Sequence, residues 1–414
     1  MVVKLRKYQQ EVVKEGIDIL KEYKILCLSM EVRTGKTLTS LSIADGYGAK
    51  SVLFISKKKA ITEGSIQGDY KDLNPSYDIE FINYASVHKA TGSYDFVIID
   101  ESHSLGAFPL KSKRVDKVKK ICKGLPIIFL SGTFTPESYS QIYHQFYVSS
   151  FTPFAKYANF YKWSKIFVDV YQIRIGGRNA NKYERARKDM IDGYTNKLFI
   201  KVSQQEAGFE QLIHEEILEV PMDQVQKDLI KSIKDRGFCQ VNGELCIPPN
   251  GASKLSKIAQ ICGGTLLMDD AEKGVVISRA KADYVYQHFK GQKIAILYVY
   301  KAEGDLLRDI FKNHTDDENV FRDDDSSTFI AQIRSAREGV DLSTADSLVM
   351  YSVDFSATSY FQGRARIQSH SRTKKANLYW VFTKGGIEKY VYSAVSKKKN
   401  FTLGYYKNSL KSGN

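Results

Sequence analysis

Leu5, Tyr8, Val12, Val13, Gly16, Ile17 and Leu20 recur at helical spacing, which predicts an amphipathic helix at the start of the chain. The pattern then changes to short runs rich in β-branched and aromatic residues, at Ile25–Ser29, Ser51–Ser56, Glu80–Asn83, Phe96–Asp100 and Ile127–Ser131. Their apolar residues stand on consecutive positions between polar turns, as in strands of a parallel sheet buried on both faces. A second such series, Lys293–Tyr300, Thr328–Ile333, Leu348–Ser352 and Asn377–Phe382, alternates with helical patterns at Asp305–Lys312 and Ser356–Arg364. The expected fold class is therefore α/β, with two lobes built on parallel sheets. Residues 150–210 are aromatic and basic without a strand series and read as a helical extension of the first lobe, the aromatic belt Phe151–Trp163 being its core. The boundary falls between Gln205 and Glu216, giving lobes at 1–210 and 211–414. Asp316–Glu318 and Asp323–Asp325 read as a solvated acidic loop.

Composition adds a partner. The 414 residues carry 61 Lys+Arg against 47 Asp+Glu, a formal charge of +14, which suits a polyanion. With 43% hydrophobic and 26% charged residues the chain is an ordinary globular protein. The longest apolar runs, such as Ile294–Tyr300, are far short of the roughly 18 residues that cross a bilayer, and the first ten residues hold no apolar signal core. A soluble, non-secreted, cytoplasmic protein is expected. Cys27, Cys122, Cys239, Cys246 and Cys262 are scattered, with no C-x-x-C pair to grip zinc, which fits a reducing compartment.

The chemistry begins where the run Ile25–Ser29 leads into Met30-Glu-Val-Arg-Thr-Gly35-Lys36-Thr37 and then a helical pattern. Strand, tight loop, Gly-Lys-Thr and helix make a phosphate-binding loop, in which backbone N–H groups cradle phosphates, the lysine reaches the β/γ oxygens and the hydroxyl binds Mg²⁺. Met30 stands where the first glycine of the G-x-x-x-x-G-K-[ST] pattern would be. Further on, Phe96-Val-Ile-Ile-Asp100-Glu101-Ser102-His103 sets two carboxylates at the C-terminal end of a buried strand, where ligands of such sheets collect. Asp100 can hold Mg²⁺ and Glu101 can orient and deprotonate an attacking water.

Asp-Glu-Ser-His downstream of Gly-Lys-Thr resembles the superfamily-two helicases and DNA translocases, particularly the branch with the Swi/Snf-type remodelling ATPases. Leu5-Arg-Lys-Tyr-Gln9 is similar to that family's adenine-reading glutamine motif. Val52–Lys57, with Lys57 at its end, and Ile82–Ser86 resemble its first-lobe DNA-contacting motifs, and Leu130-Ser131-Gly132-Thr133 the motif relaying nucleotide state to nucleic acid. In the second lobe Lys293–Tyr298 resembles the opening strand motif. Glu338-Gly339-Val340-Asp341-Leu342 is similar to the nucleotide-contacting Gly-(Ile/Leu)-(Asp/Asn)-Leu segment. Gln362-Gly363-Arg364-Ala365-Arg366 resembles the arginine-finger motif Q-x-x-G-R-x-x-R, one residue short between its arginines. On a helix, Arg364 and Arg366 would point about 200° apart, so unequal roles are expected, with Arg366 aligning with the finger.

The resemblance implies two RecA-like lobes, ATP and Mg²⁺ as cofactors, and DNA as partner, single- or double-stranded, with RNA open and a targeting protein possible. An ATP-dependent DNA helicase or translocase is the leading reading. A nucleotide-gated nucleic-acid clamp, or the motor of a restriction or repair system with its nuclease on another chain, are the alternatives. The basic segments Lys57–Lys59, Lys111–Lys123 and Lys397–Phe401, the last followed by Tyr405 and Tyr406, offer phosphate and base contacts.

Overall fold

The computed structural model describes residues 4–397 apart from 63, 176–177, 209–212, 269–272, 337–339, 368–371 and 373–374. The chain divides into two compact units, Met1–Phe209 and Glu210–Asn414.

In the first unit the opening helix α1 (Lys7–Tyr23) leads into β1 (Ile25–Met30), followed by α2 (Lys36–Tyr47), β2 (Ser51–Ser56), β3 (Asp78–Asn83), β4 (Phe96–Ile99) and β5 (Ile127–Leu130). After a ribbon, β6 (Tyr171–Ile175) and β7 (Arg178–Lys182), the chain returns as β8 (Phe199–Val202). The six-stranded sheet has the order β3-β2-β4-β5-β1-β8, with every pairing parallel. Alternate residues of the central strands feed two different cores. Cys27, Leu53, Val97 and Phe129 pack on one face, and Leu28, Phe54, Ile98 and Leu130 on the other. This double burial is why the strands read as unbroken apolar runs. Gly16 of α1 lets the helix lie close on α2 and the sheet, because a Cβ there would sit 2.8 Å from Ile43 Cδ1 of α2 and 3.0 Å from Leu26 Cδ2 of β1.

The stretch 150–210 corrects the expectation of a helical extension. Helices Phe160–Phe167 and Lys188–Thr195 are present, and Phe154, Phe160, Trp163 and Phe167 are buried as expected. Between them stands the antiparallel ribbon, and after them β8 extends the main sheet beside β1. Neither was legible, because the ribbon is polar and β8 buries only Ile200 and Val202 while Lys201 stays exposed at the sheet edge.

The second unit opens with β9 (Ile213–Val220). Two small hairpins follow, β10 (Cys239–Val241) with β11 (Glu244–Cys246), and β12 (Thr265–Leu266) with β13 (Val275–Val276). Then come β14 (Ile294–Tyr298), β15 (His314–Thr315), β16 (Thr328–Gln332), β17 (Ser347–Met350) and β18 (Ala376–Thr383). The sheet order is β15-β16-β14-β17-β18-β9, again wholly parallel. The acidic segment is not a loop throughout: Glu318–Asp323 is a helix. Asp317 caps it by accepting from the N–H groups of Asn319 and Val320, and Phe321 ties it into the core. No helix among the described residues is long and apolar enough to cross a membrane.

Candidate active site

The loop between β1 and α2 explains the missing glycine. Met30 is still a strand residue, paired with Val202, so it needs no unusual backbone. The turn takes its left-handed residues later, at Arg33 (φ 67°) and Gly35 (φ 74°). Gly35 precedes α2 without a side-chain cap, so the first-turn N–H groups of a 12-residue helix begin at Lys36 and Thr37. Lys36 Nζ curls back over the loop and donates to Met30 O at 3.2 Å.

α1 braces this loop. Tyr8 Oη donates to Thr34 O at 2.8 Å, and the buried Gln9 donates from Nε2 to Thr39 Oγ1 at 3.3 Å while its Oε1 accepts from Arg6 N. Gln9 lies so close to Gly35 that a Cβ on the glycine would stand 2.5 Å from its Nε2. The Leu5–Gln9 segment and the Gly35-Lys36-Thr37 loop, separate candidates in the sequence, are thus brought together, with the Gln9 amide turned onto protein groups.

The acidic pair stands at the C-terminal end of β4, two strands from β1. Asp100 accepts from Ser56 Oγ at 2.7 Å, and its own carbonyl accepts from Tyr84 Oη at 2.6 Å. Glu101 adopts a left-handed backbone (φ 49°) that starts a short 3-10 turn, Ser102–Leu105. Its Oε2 lies 3.1 Å from His103 Nδ1. The same nitrogen is 3.2 Å from Ser131 Oγ, which donates to Thr133 O and accepts from Thr133 N. Glu101, His103, Ser131 and Thr133 therefore form one hydrogen-bonded line from the acidic pair to the loop after β5. Beside it, Ser102 Oγ donates to Gln145 Oε1, and Gln145 Nε2 donates to Phe134 O.

Electrostatics separates the two acids. Burial, reinforced by the charge of Glu101, raises the Asp100 carboxyl above its ordinary range, while Lys36 and the Ser56 bond pull the other way. Burial also pushes Glu101 up, but the hydrogen bond and charge of His103, with Lys36 and Lys57 near, outweigh it and hold this carboxyl low. Lys57, a nucleic-acid candidate in the sequence, thus stands at the same end of the sheet as Glu101.

In the second unit, Gln362 and Arg364 lie in helix Ala357–Arg364 and Arg366 in the 3-10 turn Ala365–Ile367. The two arginines have different surroundings. Arg364 Nε donates to Glu215 Oε1 of β9, whose other oxygen accepts from Trp380 Nε1 at 3.0 Å, Tyr360 Oη at 3.3 Å and Tyr392 Oη at 3.4 Å. Arg366 is 8% exposed, and its carbonyl accepts from Leu342 N. Asp341 is exposed, accepting from Ser343 N, while Gly339 lies outside the described residues. Two groups escaped the sequence reading. Glu215 was hidden in a charged edge strand. Arg372, which donates to the carbonyls of Ser343, Ala345 and Lys375, was hidden in a basic tract.

Comparison with known proteins agrees with this picture. Residues 2–136 match the family described as "Type III restriction enzyme, res subunit". A search of curated proteins finds no match. Among solved structures, the chain is similar to an ATP-dependent Type ISP restriction-modification enzyme, LlaBIII, bound to DNA, with TM-score 0.52 and 13% identity. The similarity covers 92% of this chain and 28% of that one, so the chain spans little more than a quarter of the length of the enzyme it resembles. Sheet architecture and the structural likeness together show a two-lobe α/β fold, whose residues 2–136 are similar to the restriction-enzyme res-subunit family.

Proposed function

We propose that the chain is a nucleic-acid-stimulated ATPase that couples Mg-ATP hydrolysis to movement along, or unwinding of, DNA. The observation that carries this reading is the line Glu101–His103–Ser131–Thr133 beside Lys36 and Asp100, because it joins a hydrolytic carboxylate to the motif that resembles the family's nucleic-acid relay. The residues fit the nucleotide. The loop presents an uncapped helix start at Lys36 and Thr37, and Lys36 Nζ is held by one carbonyl that a phosphate oxygen would replace. Thr37 and Asp100 would hold the magnesium ion, which neutralises phosphate charge when bound.

The protein's own part is positioning and charge. Lys36 meets the β/γ oxygens. Glu101 keeps Oε2 on His103, and Oε1 is the oxygen assigned to the water, which it orients and whose proton it accepts. A carboxylate held low is a weak base, but phosphoryl transfer passes through a loose transition state that asks more for orientation than for base strength. Gln9 is assigned to adenine, Asp341 and Gly339 to nucleotide in the second unit, and Arg364 or Arg366 to the γ-phosphoryl charge. Lys57, Ser131 and Thr133 are assigned to the nucleic-acid side.

The likeness to a restriction enzyme of greater length favours one specific version, a motor whose nuclease and target recognition lie on other segments or chains. The test is ATP turnover with no nucleic acid, single-stranded DNA, duplex DNA and RNA, joined to strand-displacement and translocation assays. Turnover that no nucleic acid stimulates would overturn the proposal.

A further inference from the structure

The ribbon β6–β7 has no place in the nucleotide site, and its composition is unusual for a strand pair. Between Tyr171 and Lys182 the sequence holds three cations and no acid. The register pairs Gln172 with Asn181 and Arg174 with Asn179, so these four side chains share one face. All four are exposed, with Gln172 Nε2 donating to Asn181 Oδ1 at 3.0 Å. The opposite face, with Tyr171, Ile173, Ala180 and Lys182, is half-buried, and Arg185 lies over the Tyr171 ring at 4.1 Å. The flanking acids are already committed, Glu184 to Lys182 and Asp169 to Arg187.

A face of two amides, an arginine and a further asparagine has hydrogen-bonding groups but no apolar anchor of the kind that protein interfaces bury. Those groups bond phosphate oxygens and base edges, and a two-stranded ribbon fits the major groove of duplex DNA. The ribbon is also tied to the relay. Ser138 Oγ donates to Glu184 O and Ser140 Oγ to Tyr183 O, fixing the chain that leaves the ribbon to the segment that begins at Ser131–Thr133. A second bridge, Val168 with Ala186, and the bond from Arg187 N to Phe167 O close its base.

We propose that the Gln172–Arg174–Asn179–Asn181 face of this ribbon is a groove contact for double-stranded DNA, anchored to the loop that reaches His103 and Glu101. The proposal rests on reading the chain as a DNA motor. The test is nucleotide-free binding of the full chain to a labelled DNA duplex and to the matching single strand, over a range of salt. Arg174→Glu with Asn179→Asp should lower duplex affinity roughly tenfold or more and flatten its salt dependence, since a phosphate-neutralising cation is replaced by an acid. Single-strand affinity should be unchanged. The charge-neutral Gln172→Ala with Asn181→Ala should also weaken duplex binding, by several-fold. An unaltered thermal midpoint in both variants shows that the lobe is intact. Duplex binding at the wild-type level in both refutes the ribbon contact while leaving the motor standing. Equal losses on duplex and single strand likewise refute a groove contact. Failure of the motor reading would look different: the wild-type chain would bind no DNA and show no stimulated turnover.

Discussion

Gly35→Ala separates the close approach at the phosphate loop from backbone strain, because Gly48 at the other end of α2 provides an internal control. Both glycines are left-handed, with φ 74° and φ 91°. A Cβ at Gly48 meets nothing within 4 Å, whereas one at Gly35 stands 2.5 Å from Gln9 Nε2. Alanine in the left-handed region costs about 1–2 kcal/mol at either position. At Gly35 the Gln9 side chain must also swing away. It then gives up its bonds to Thr39 Oγ1 and Arg6 N, about 1 kcal/mol each. Gly35→Ala should therefore destabilise the first lobe by roughly 2 kcal/mol more than Gly48→Ala, a factor of about 30 in the folded ratio. The assay is urea unfolding of the protein without nucleotide, in a Trp380→Phe background where Trp163 is the single tryptophan and reports the first lobe. Adding Gln9→Ala removes the clashing amide, so the double-mutant cycle should show a favourable coupling of about 1 kcal/mol or more. ATP affinity should fall with Gly35→Ala and hold with Gly48→Ala. Equal destabilisation by the two glycine variants, with strict additivity in the cycle, would refute the proposed brace between the glutamine motif and the phosphate loop.

Lys36→Ala should abolish ATP hydrolysis while nucleotide-free DNA binding persists, and wild-type turnover in that variant would disprove the nucleotide site. Glu101→Gln should still bind ATP yet lose roughly 10²–10⁴-fold in turnover, read by single-turnover hydrolysis. With saturating ATP and DNA, Arg366→Ala should lose about a thousandfold or more in turnover, as arginine fingers do, and Arg364→Ala less; a larger loss in Arg364→Ala would reverse the assignment. In the second lobe Lys281 and Glu388 form an ion pair 3.2 Å long with side chains 2% and 5% exposed. Glu388→Ala should cost about 3–5 kcal/mol in urea unfolding by leaving a buried ammonium unpaired, while Lys281→Met with Glu388→Leu should be nearly neutral; an equal cost in both would show that packing rather than charge is at stake.

The strands legible in the sequence are those buried on both faces. Phe96–Ile99 and Ile127–Leu130 are fully buried, so no polar residue interrupts them. Edge strands hide because one side of the sheet meets water. β9 reads Ile-His-Glu-Glu-Ile-Leu-Glu-Val, a pattern whose three glutamates mask eight residues of continuous pairing with β18. Likewise the first-lobe candidate residues stand out in the sequence where they are contiguous, as in Gly35-Lys36-Thr37 and Asp100–His103. That His103 meets Ser131 depends on β4 and β5 lying side by side in register, which no local pattern records.

The arginine motif shows the same limit from the other side. The missing residue between Arg364 and Arg366 suggested divergent directions on one helix, but the helix ends at Arg364 and Arg366 belongs to a tighter turn. What distinguishes the two is a partner 149 residues away in the chain. Glu215 holds Arg364 from the edge strand and is itself held by Trp380, Tyr360 and Tyr392, three aromatic side chains whose rings pack together. For Arg364 to stabilise a phosphoryl group, that group must outcompete a carboxylate already oriented by other donors, and the Glu215 charge would be left with neutral partners only. Charge-assisted bonds of this kind are about twice as strong as neutral ones, so the exchange carries a cost for Arg364. That cost is the structural reason to expect the smaller loss of turnover in Arg364→Ala, whose guanidinium already serves the sheet edge.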